Sequence, residues 1–184
     1  MFKFFIVVLF MMPPVLFASS QPQEKQFESS FSIIQQQYDF QPIGETTFSI
    51  LFWDLYKSRL LTTSGRYPIN SSDEKLIYEI NYLASISSDD LIKRTQEQWD
   101  HLGVSSHLYN RFLPELKRIW PNIDKGDTLS LLLFNDGSYF YFNQKFIGGI
   151  KDPAFGQIFL DIWLAENTSQ PNLRAELLRG NRYE

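Results

Sequence analysis

The fold is decided by residues 126–178, GDTLSLLLFNDGSYFYFNQKFIGGIKDPAFGQIFLDIWLAENTSQPNLRAELL. An apolar run at 129–134 and an aromatic run at 139–142 flank the sequence Asn135-Asp136-Gly137-Ser138. Asp-Gly in such a place supplies the positive φ angles of a two-residue turn, which predicts an antiparallel hairpin. A third strand is expected after it, and Gly148-Gly149 is expected to let the chain leave that strand.

A strongly amphipathic helix is predicted directly after these strands. Asp152 is a suitable N-cap, and Pro153 occupies the first helical position, where its missing N–H leaves no intrahelical bond unmade. Apolar residues then recur at the spacing of one helix face: Phe155, Ile158, Phe159, Ile162 and Trp163. Such a face must be covered, and the preceding sheet is its natural partner.

Three further strands are predicted upstream. Residues 31–38 are expected to form an edge strand, residues 44–63 one long strand rich in β-forming residues, and residues 76–83 an alternating strand. Asp54 stands on the apolar face of the long strand. It is either a site carboxylate or the mark of a bulge that turns the side chain to water, and the bulge is the preferred interpretation.

The remaining segments predict helices. Ser87 with Asp90 approximates a capping box for a helix that ends at Gly103. A second helical segment follows Ser105 and is split at Pro114. A last helix starts around Pro171, with its inward face formed by Leu173, Leu177 and Leu178. The short turns cannot carry parallel crossovers, so the sequence predicts an α+β domain with helices on one side of an antiparallel sheet.

The first twenty residues predict export. Residues 1–20 combine Lys3, an apolar run at 4–12 and small residues at 18–20, which is the form of a signal peptide cleaved after Ala18 or Ser20. The apolar run is too short to span a bilayer. Residues 21–30 are expected to be a flexible lead-in, and residues 31–184 the domain. We therefore expect a periplasmic or secreted protein with no stable membrane span once the signal is removed.

Composition excludes several function classes. The formal net charge of −4 without a basic stripe argues against nucleic acid as a partner. The chain of 184 residues contains no cysteine, which excludes disulfides, thiolate nucleophiles and cysteine metal sites. His101 and His107 lack the spacing of a metal pair, and no cofactor fingerprint is present, so neither a metal nor a cofactor is expected.

Aromatic and basic residues are the candidates for a binding site. Six aromatic residues could wall an apolar pocket or simply form the core: Tyr78, Tyr82, Trp99, Tyr109, Tyr139 and Tyr141. Arg59, Arg111 and Arg174 could meet a ligand carboxylate or could serve structural ion pairs.

The segments Leu55-Tyr56, Ile119-Trp120-Pro121, Phe142-Asn143 and Ile162-Trp163-Leu164, in this order and spacing, resemble the bacterial chalcone isomerase-like proteins. These are exported relatives of the chalcone isomerase fold, and the resemblance covers nearly the whole mature chain. It implies an open-faced β-sandwich, with a large antiparallel sheet, a covering layer of helices and a cleft between them.

The same resemblance argues against the isomerase reaction. The plant enzymes use a strand arginine, a threonine, and a helix tyrosine and asparagine. Here no Arg or Lys lies between Lys25 and Lys57, the threonine position holds Leu51, and the tyrosine and asparagine positions hold Leu91 and Gln98. Losing one such donor reduces a rate by about 10²–10³-fold, so a non-catalytic protein is predicted.

The expected function is therefore binding of a small apolar or fatty-acid-like ligand in the cleft. The other branch of the fold binds fatty acids through the strand arginine, so a carboxylate here would need a different arginine. The predicted ligand-binding residues are Tyr82, Trp99, Gln98, Arg59 and Arg174. Two alternatives stay open: a lyase or isomerase that uses other groups, such as Tyr82 with Glu97 or Gln98, and a ligand-free interaction module of the cell envelope.

Overall fold

Six strands form one sheet in which every neighbouring pair is antiparallel and the spatial order follows the chain. The computed structural model describes residues 31–71 and 73–180, so the predicted signal peptide and lead-in lie outside the described residues. The strands are β1 (Gln41–Ile50), β2 (Trp53–Thr62), β3 (Leu76–Tyr82), β4 (Thr128–Phe134), β5 (Gly137–Phe142) and β6 (Lys145–Ile150).

Helices cover both faces of this sheet unequally. One face carries α2 (Ser88–His101), α3 (Ser106–Tyr109), α4 (Leu113–Ile119), α5 (Pro153–Leu164) and α6 (Pro171–Leu177), and the other carries α1 (Phe31–Gln37). The predicted α+β class and open antiparallel sheet are confirmed. Among the described residues, every helix is too short or too polar to cross a membrane.

The alternation of β3 divides the core between the two faces. Tyr78, Ile80 and Tyr82 point into the large cluster beneath α2–α6, whereas Ile77 points into the small cluster beneath α1. All four side chains are buried. A strand with apolar residues on both faces is expected when both faces of a sheet are covered.

The prediction of an edge strand at residues 31–38 was wrong, because this segment is the helix α1. Phe31 and Ile34 are three residues apart, so both fall on one helix face, and both are buried against the sheet. The Phe31 ring lies 4.8 Å from that of Tyr141, and the Phe31 amide donates to the Gln144 carbonyl. The helices are therefore not all on one side.

The predicted long strand at 44–63 is two strands, β1 and β2, joined by Leu51 and Phe52. The turn contains neither glycine nor proline nor asparagine, so it carries no sequence signal. Asp54 is exposed and accepts a hydrogen bond from Ser49 Oγ at 2.6 Å. The register skips Leu55 between Asp54 and Tyr56, so the bulge interpretation of Asp54 is confirmed.

The hairpin of β4 and β5 is confirmed, with Phe134 opposite Gly137, but its glycine has another purpose than predicted. Positive φ angles occur instead in the next turn, at Asn143 and Gln144 (48° and 71°). A Cβ on Gly137 would lie 2.6 Å from the Ile150 carbonyl oxygen, so glycine is needed for close strand packing.

Gly148 and Gly149 lie inside β6 and do not form its exit, which corrects the second glycine prediction. Gly148 has a φ of +146°, and a Cβ there would lie 2.7 Å from Ile119 Cγ1. Gly148 therefore lets α4 approach the sheet, whereas a Cβ on Gly149 would lie 2.8 Å from the Tyr139 ring of the neighbouring strand.

Helix starts and stops follow the sequence signals. Ser87 Oγ accepts from the Asp90 amide at 3.1 Å, and Asp152 Oδ1 accepts from the Ala154 amide at 2.9 Å. Pro114 lies in the first turn of α4, where it separates α4 from α3. The inward leucines of α6 are buried as predicted: Leu173, Leu177 and Leu178.

The last helix is fixed to the edge strand β1 by close backbone contact. A Cβ on Gly44 would overlap the carbonyl oxygens of Glu176 and Leu177. Thr46 Oγ1 donates to the Glu176 carboxylate, and the Gly180 amide donates to the Ile43 carbonyl at 2.8 Å. The edge of the sheet is thus covered by α6 along the first half of β1.

Candidate ligand-binding cleft

A cleft of about 450 Å³ lies between strands β1–β4 and helices α2 and α5. This volume is within the usual range of small-molecule sites, about 300–1,000 Å³. Its walls are mainly apolar. The sheet supplies Phe48, Ile50, Leu55, Tyr56, Ile80, Tyr82 and Leu129, and the helices supply Leu91, Phe159, Ile162 and Trp163.

The bulge in β2 shapes the sheet side of the cleft. Side chains of successive strand residues normally point to opposite faces. The unpaired Leu55 breaks this alternation, so Leu55 and Tyr56 both line the cleft. Tyr56 is thereby placed opposite Tyr82 on β3, with 6.1 Å between the ring centroids.

Two tyrosine hydroxyls serve the cleft as neutral hydrogen-bond donors. Trp163 Nε1 donates to the Tyr56 hydroxyl oxygen at 2.9 Å, which leaves the Tyr56 proton free to donate. Burial raises the pKa of Tyr56 to about 12. Burial, and secondarily the neighbouring Tyr56, raises the pKa of Tyr82 above its ordinary value. Both phenols are therefore protonated throughout the physiological range.

Two more groups add donors to the same cleft. Trp120 lines it and is 3% exposed, and among the described residues its indole N–H has no hydrogen-bond partner. Gln98 Oε1 accepts from Ser169 Oγ at 2.6 Å, so the Gln98 side chain has its amide hydrogens left over. An indole can only donate, and buried donors without a partner are uncommon. The polar groups of the cleft that are left to bind a ligand are therefore mainly hydrogen-bond donors.

Charge in the cleft is confined to one ion pair. Among the described lining residues, Arg94 is the single cation, and its Nη1 lies 2.7 Å from Glu97 Oε2. Both side chains are well exposed, so the pair belongs to the rim. In the ranges 31–71 and 73–180, no cluster of three or more metal-ligating His, Asp or Glu side chains occurs.

The structure brings together two of the five predicted site residues, Tyr82 and Gln98. Trp99 does not line the cleft, because it is fully buried between helices, where Nε1 donates to the Ile158 carbonyl at 2.8 Å. Arg59 points away from the cleft to the opposite face of the sheet, where its Nε lies 2.7 Å from Glu79. Neighbouring residues of a strand point to opposite faces, so Arg59 would face the cleft only if it lay one position earlier or later in β2.

The other two candidate arginines make structural contacts outside the cleft. Arg174 Nε donates to the Leu164 carbonyl at 2.8 Å, which satisfies the C-terminal end of α5. Arg111 lies 2.9 Å from Asp152, the N-cap of the same helix. The predicted use of Arg174 in ligand binding therefore gains no geometric support.

Sequence reasoning missed Tyr56 and Trp120 as site residues. The missed turn at residues 51–52 concealed that Tyr56 stands opposite Tyr82. Leu51, assigned to the threonine position of the plant enzymes, lies in the exposed turn and does not face the cleft. Leu91, assigned to the tyrosine position, does line it.

The raised pKa values predict unfolding in alkali. The phenols ionise near their usual pKa of 10 in the unfolded chain, whereas in the folded protein the pKa of Tyr56 is about 12 and those of Tyr78 and Tyr82 are also raised by burial. The unfolded state therefore loses protons first. The stabilisation is complete below about pH 10 and is lost as the pH rises through the folded pKa values.

Tyrosinate absorbance and circular dichroism, recorded together from pH 8 to 13, measure this effect. These three tyrosines are expected to ionise only as the secondary structure is lost. Complete ionisation near pH 10 with the secondary structure intact would contradict the prediction.

The sheet, its helical cover and the enclosed apolar cleft define an open-faced β-sandwich. The chain belongs to the chalcone isomerase-like family, whose model matches residues 46–179. The family resemblance noted in the sequence is thus confirmed.

Two individual proteins are similar to this chain. A Haemophilus influenzae protein without an assigned function is 24% identical over 139 residues, which are 76% of this chain and 68% of the relative. The crystal structure of an Arabidopsis thaliana fatty-acid binding protein superimposes with a TM-score of 0.57 at 13% identity, and the match covers 76% of this chain and 86% of that one. At this identity the second similarity establishes the fold alone.

Proposed function

We propose that this protein is an exported, non-catalytic binding protein that holds a small apolar or fatty-acid-like molecule in the cleft. The observation that carries the proposal is an apolar cleft of about 450 Å³ whose unused polar groups are neutral donors. The similarity to a fatty-acid binding protein supports a binding role for the fold. Export is proposed from the signal-peptide form of residues 1–20.

The donors indicate the chemistry of the ligand. Tyr56, Tyr82 and Trp120 can each donate to an oxygen, while the cation on the rim is already paired. A carboxylate in this cleft would lose its water without gaining a free cation, which is unfavourable. The proposed ligand is an elongated apolar molecule with an uncharged acceptor, such as an ester or ketone, or a fatty acid bound in its protonated form.

A second candidate is a fatty acid bound as the carboxylate, with its charged end at the rim. The observation in its favour is that Arg94 lines the cleft and is exposed enough to exchange Glu97 for a ligand. In this arrangement the chain of the fatty acid would point inwards, and the tyrosines would contact no ligand oxygen.

A catalytic role is not supported by the groups in the cleft. A general base needs a pKa near the working pH, and burial moves the pKa of both cleft tyrosines away from neutrality. Glu97, the partner considered for Tyr82 in a lyase, lies on the rim and is paired with Arg94. The positions matched to the isomerase tyrosine and asparagine hold Leu91 and Gln98.

The test compares palmitic acid with its methyl ester at pH 7, by equilibrium binding and by native mass spectrometry of the purified protein. The ester is expected to bind about tenfold or more tightly than the acid, because the carboxylate loses its water and meets no unpaired cation among the described lining residues of the cleft. Tyr82→Phe and Tyr56→Phe should each weaken ester binding by about 2–10-fold, the contribution of one hydrogen bond. Arg59→Gln, on the opposite face, is the matched control and should change nothing.

The alternatives predict different results. Tighter binding of the acid that is lost in Arg94→Gln would favour the carboxylate at the rim. Binding of neither compound, together with no co-purifying apolar molecule, would favour the interaction module without a ligand. Enzymatic cyclisation of chalcone that is lost in Tyr82→Phe would overturn the non-catalytic role.

A further inference from the structure

The turn between β1 and β2 ends in four consecutive apolar residues that are exposed, Ile50 to Trp53, here named the hairpin tip. Their exposed fractions are 52% for Ile50, 86% for Leu51, 97% for Phe52 and 75% for Trp53. An isolated exposed apolar residue is ordinary, but a contiguous apolar patch marks an interaction site. We propose that the hairpin tip docks the protein onto the surface of a lipid bilayer.

The conformation of the turn holds Leu51 in an energetically unfavourable backbone angle. Ile50 pairs with Trp53, so Leu51 and Phe52 form a two-residue loop. Leu51 has a φ of +56°, a conformation in which a side chain is disfavoured and glycine is preferred in tight hairpins. A leucine at this position adds exposed apolar surface to the loop and weakens the turn.

The size and form of the tip fit a bilayer better than a folded partner. The side chains stand at the end of a single hairpin, and the aromatic pair contributes about 150–250 Å² per residue. The whole tip is thus smaller than the roughly 800 Å² that each side of a stable protein pair buries. Phenylalanine and leucine can enter the acyl region, while tryptophan favours the level of the head groups.

The charge of the chain and of the residue beside the tip indicates which lipid composition should be sufficient for binding. The chain has a formal net charge of −4, and Asp54 is the exposed charged residue directly beside the tip. Attraction to anionic lipid therefore cannot drive the contact. Insertion of apolar side chains is expected to suffice, so zwitterionic vesicles should bind the protein, and salt should have little effect.

The hairpin tip is continuous with the cleft. Ile50 belongs to both, and Phe48 and Leu55 continue the apolar wall from the tip into the cleft. A bilayer in contact with the tip would therefore lie at the β1–β2 end of the cleft. Docking of the hairpin tip onto a bilayer does not depend on the proposed function. Exchange of an apolar ligand between the cleft and the bilayer does rest on it.

Trp53 provides the probe for the test. Trp99 and Trp120 are buried and Trp163 is partly buried, so Trp53 is the most exposed of the four tryptophans. Phosphatidylcholine vesicles should shift the emission to shorter wavelength, and brominated lipids should quench it. Co-sedimentation of the full-length mature chain with the same vesicles gives the partition coefficient.

Variants of the tip separate docking from folding. Phe52→Ser should lower the partition coefficient by about tenfold or more, since a large apolar side chain no longer leaves water. Leu51→Gly should also lower it while leaving the Tm equal or higher, because glycine accepts the positive φ. Ile33→Ser, at an exposed apolar residue of α1, is the control and should have no effect.

Three results would overturn the proposal. The first is an unchanged Trp emission and no co-sedimentation with phosphatidylcholine vesicles. The second is binding that survives both Phe52→Ser and Leu51→Gly. The third is self-association of the chain through the tip without lipid, which would assign the surface to a second copy. Failure of ester binding with intact vesicle binding would affect only the proposed function.

Discussion

Replacing Trp99 by alanine is expected to lower the free energy of unfolding by about 3–5 kcal/mol, the usual effect of removing a large buried ring. Trp99 is fully buried and joins three helices. Its ring stacks on Tyr109 at 5.3 Å and meets Phe155 edge-on at 6.4 Å. Its N–H satisfies the carbonyl of Ile158, which would be left without this donor.

Urea denaturation followed by far-UV circular dichroism measures the effect. Trp99→Phe is the matched control, because it keeps an aromatic ring and should lose distinctly less stability. Ester binding by the folded fraction should be unchanged, since Trp99 does not line the cleft. A loss below about 1 kcal/mol in Trp99→Ala would show that the helices repack around the site without it.

Gly44→Ala is expected to have the second-largest effect, a loss of about 1–3 kcal/mol or more. The added methyl group would overlap the backbone oxygens of Glu176 and Leu177, which cannot rotate away as the end of a side chain could. Helix α6 must therefore move off β1. This movement would also weaken the contact of Thr46 with Glu176.

Hydrogen exchange distinguishes this mechanism from a general loss of stability. The amides of α6 and its C-cap, such as those of Arg174 and Leu178, should exchange faster in Gly44→Ala than the global loss explains. Gly103→Ala is the control, because Gly103 has a φ of +72° but nothing within 4 Å of an added Cβ. It should destabilise through the backbone angle alone and leave α6 in place. Unchanged exchange in α6 would refute the collision.

Elements with a clear period or a clear boundary signal were predictable from the sequence. The apolar face of α5, the caps at Ser87 and Asp152 and the alternation of β3 each combine pattern with local chemistry. The β1–β2 turn was not predictable, because Leu51 and Phe52 are poor turn residues. The surrounding structure, rather than local preference, places the turn there.

The candidate site was predictable only in part, because the register of each strand decides to which face of the sheet a side chain points. The sequence identified Tyr82 and Gln98 correctly as cleft residues. It also predicted Arg59 in the cleft, although the Arg59 side chain points to the opposite face of the sheet. A shift of one residue in a strand reverses every side chain, and the bulge at Leu55 makes such a shift. The role of Trp120 depends on the contact between distant elements, which no local pattern records.

The bond from the Gly180 amide to the Ile43 carbonyl has a consequence for the solution behaviour of the protein. An outer strand with open carbonyl groups can recruit a strand from another molecule and start a polymer. Helix α6 and Gly180 cover this part of the first strand of the meander. A chain shortened before Gly180 would expose that carbonyl and lengthen the part of β1 that is open to pairing with another strand.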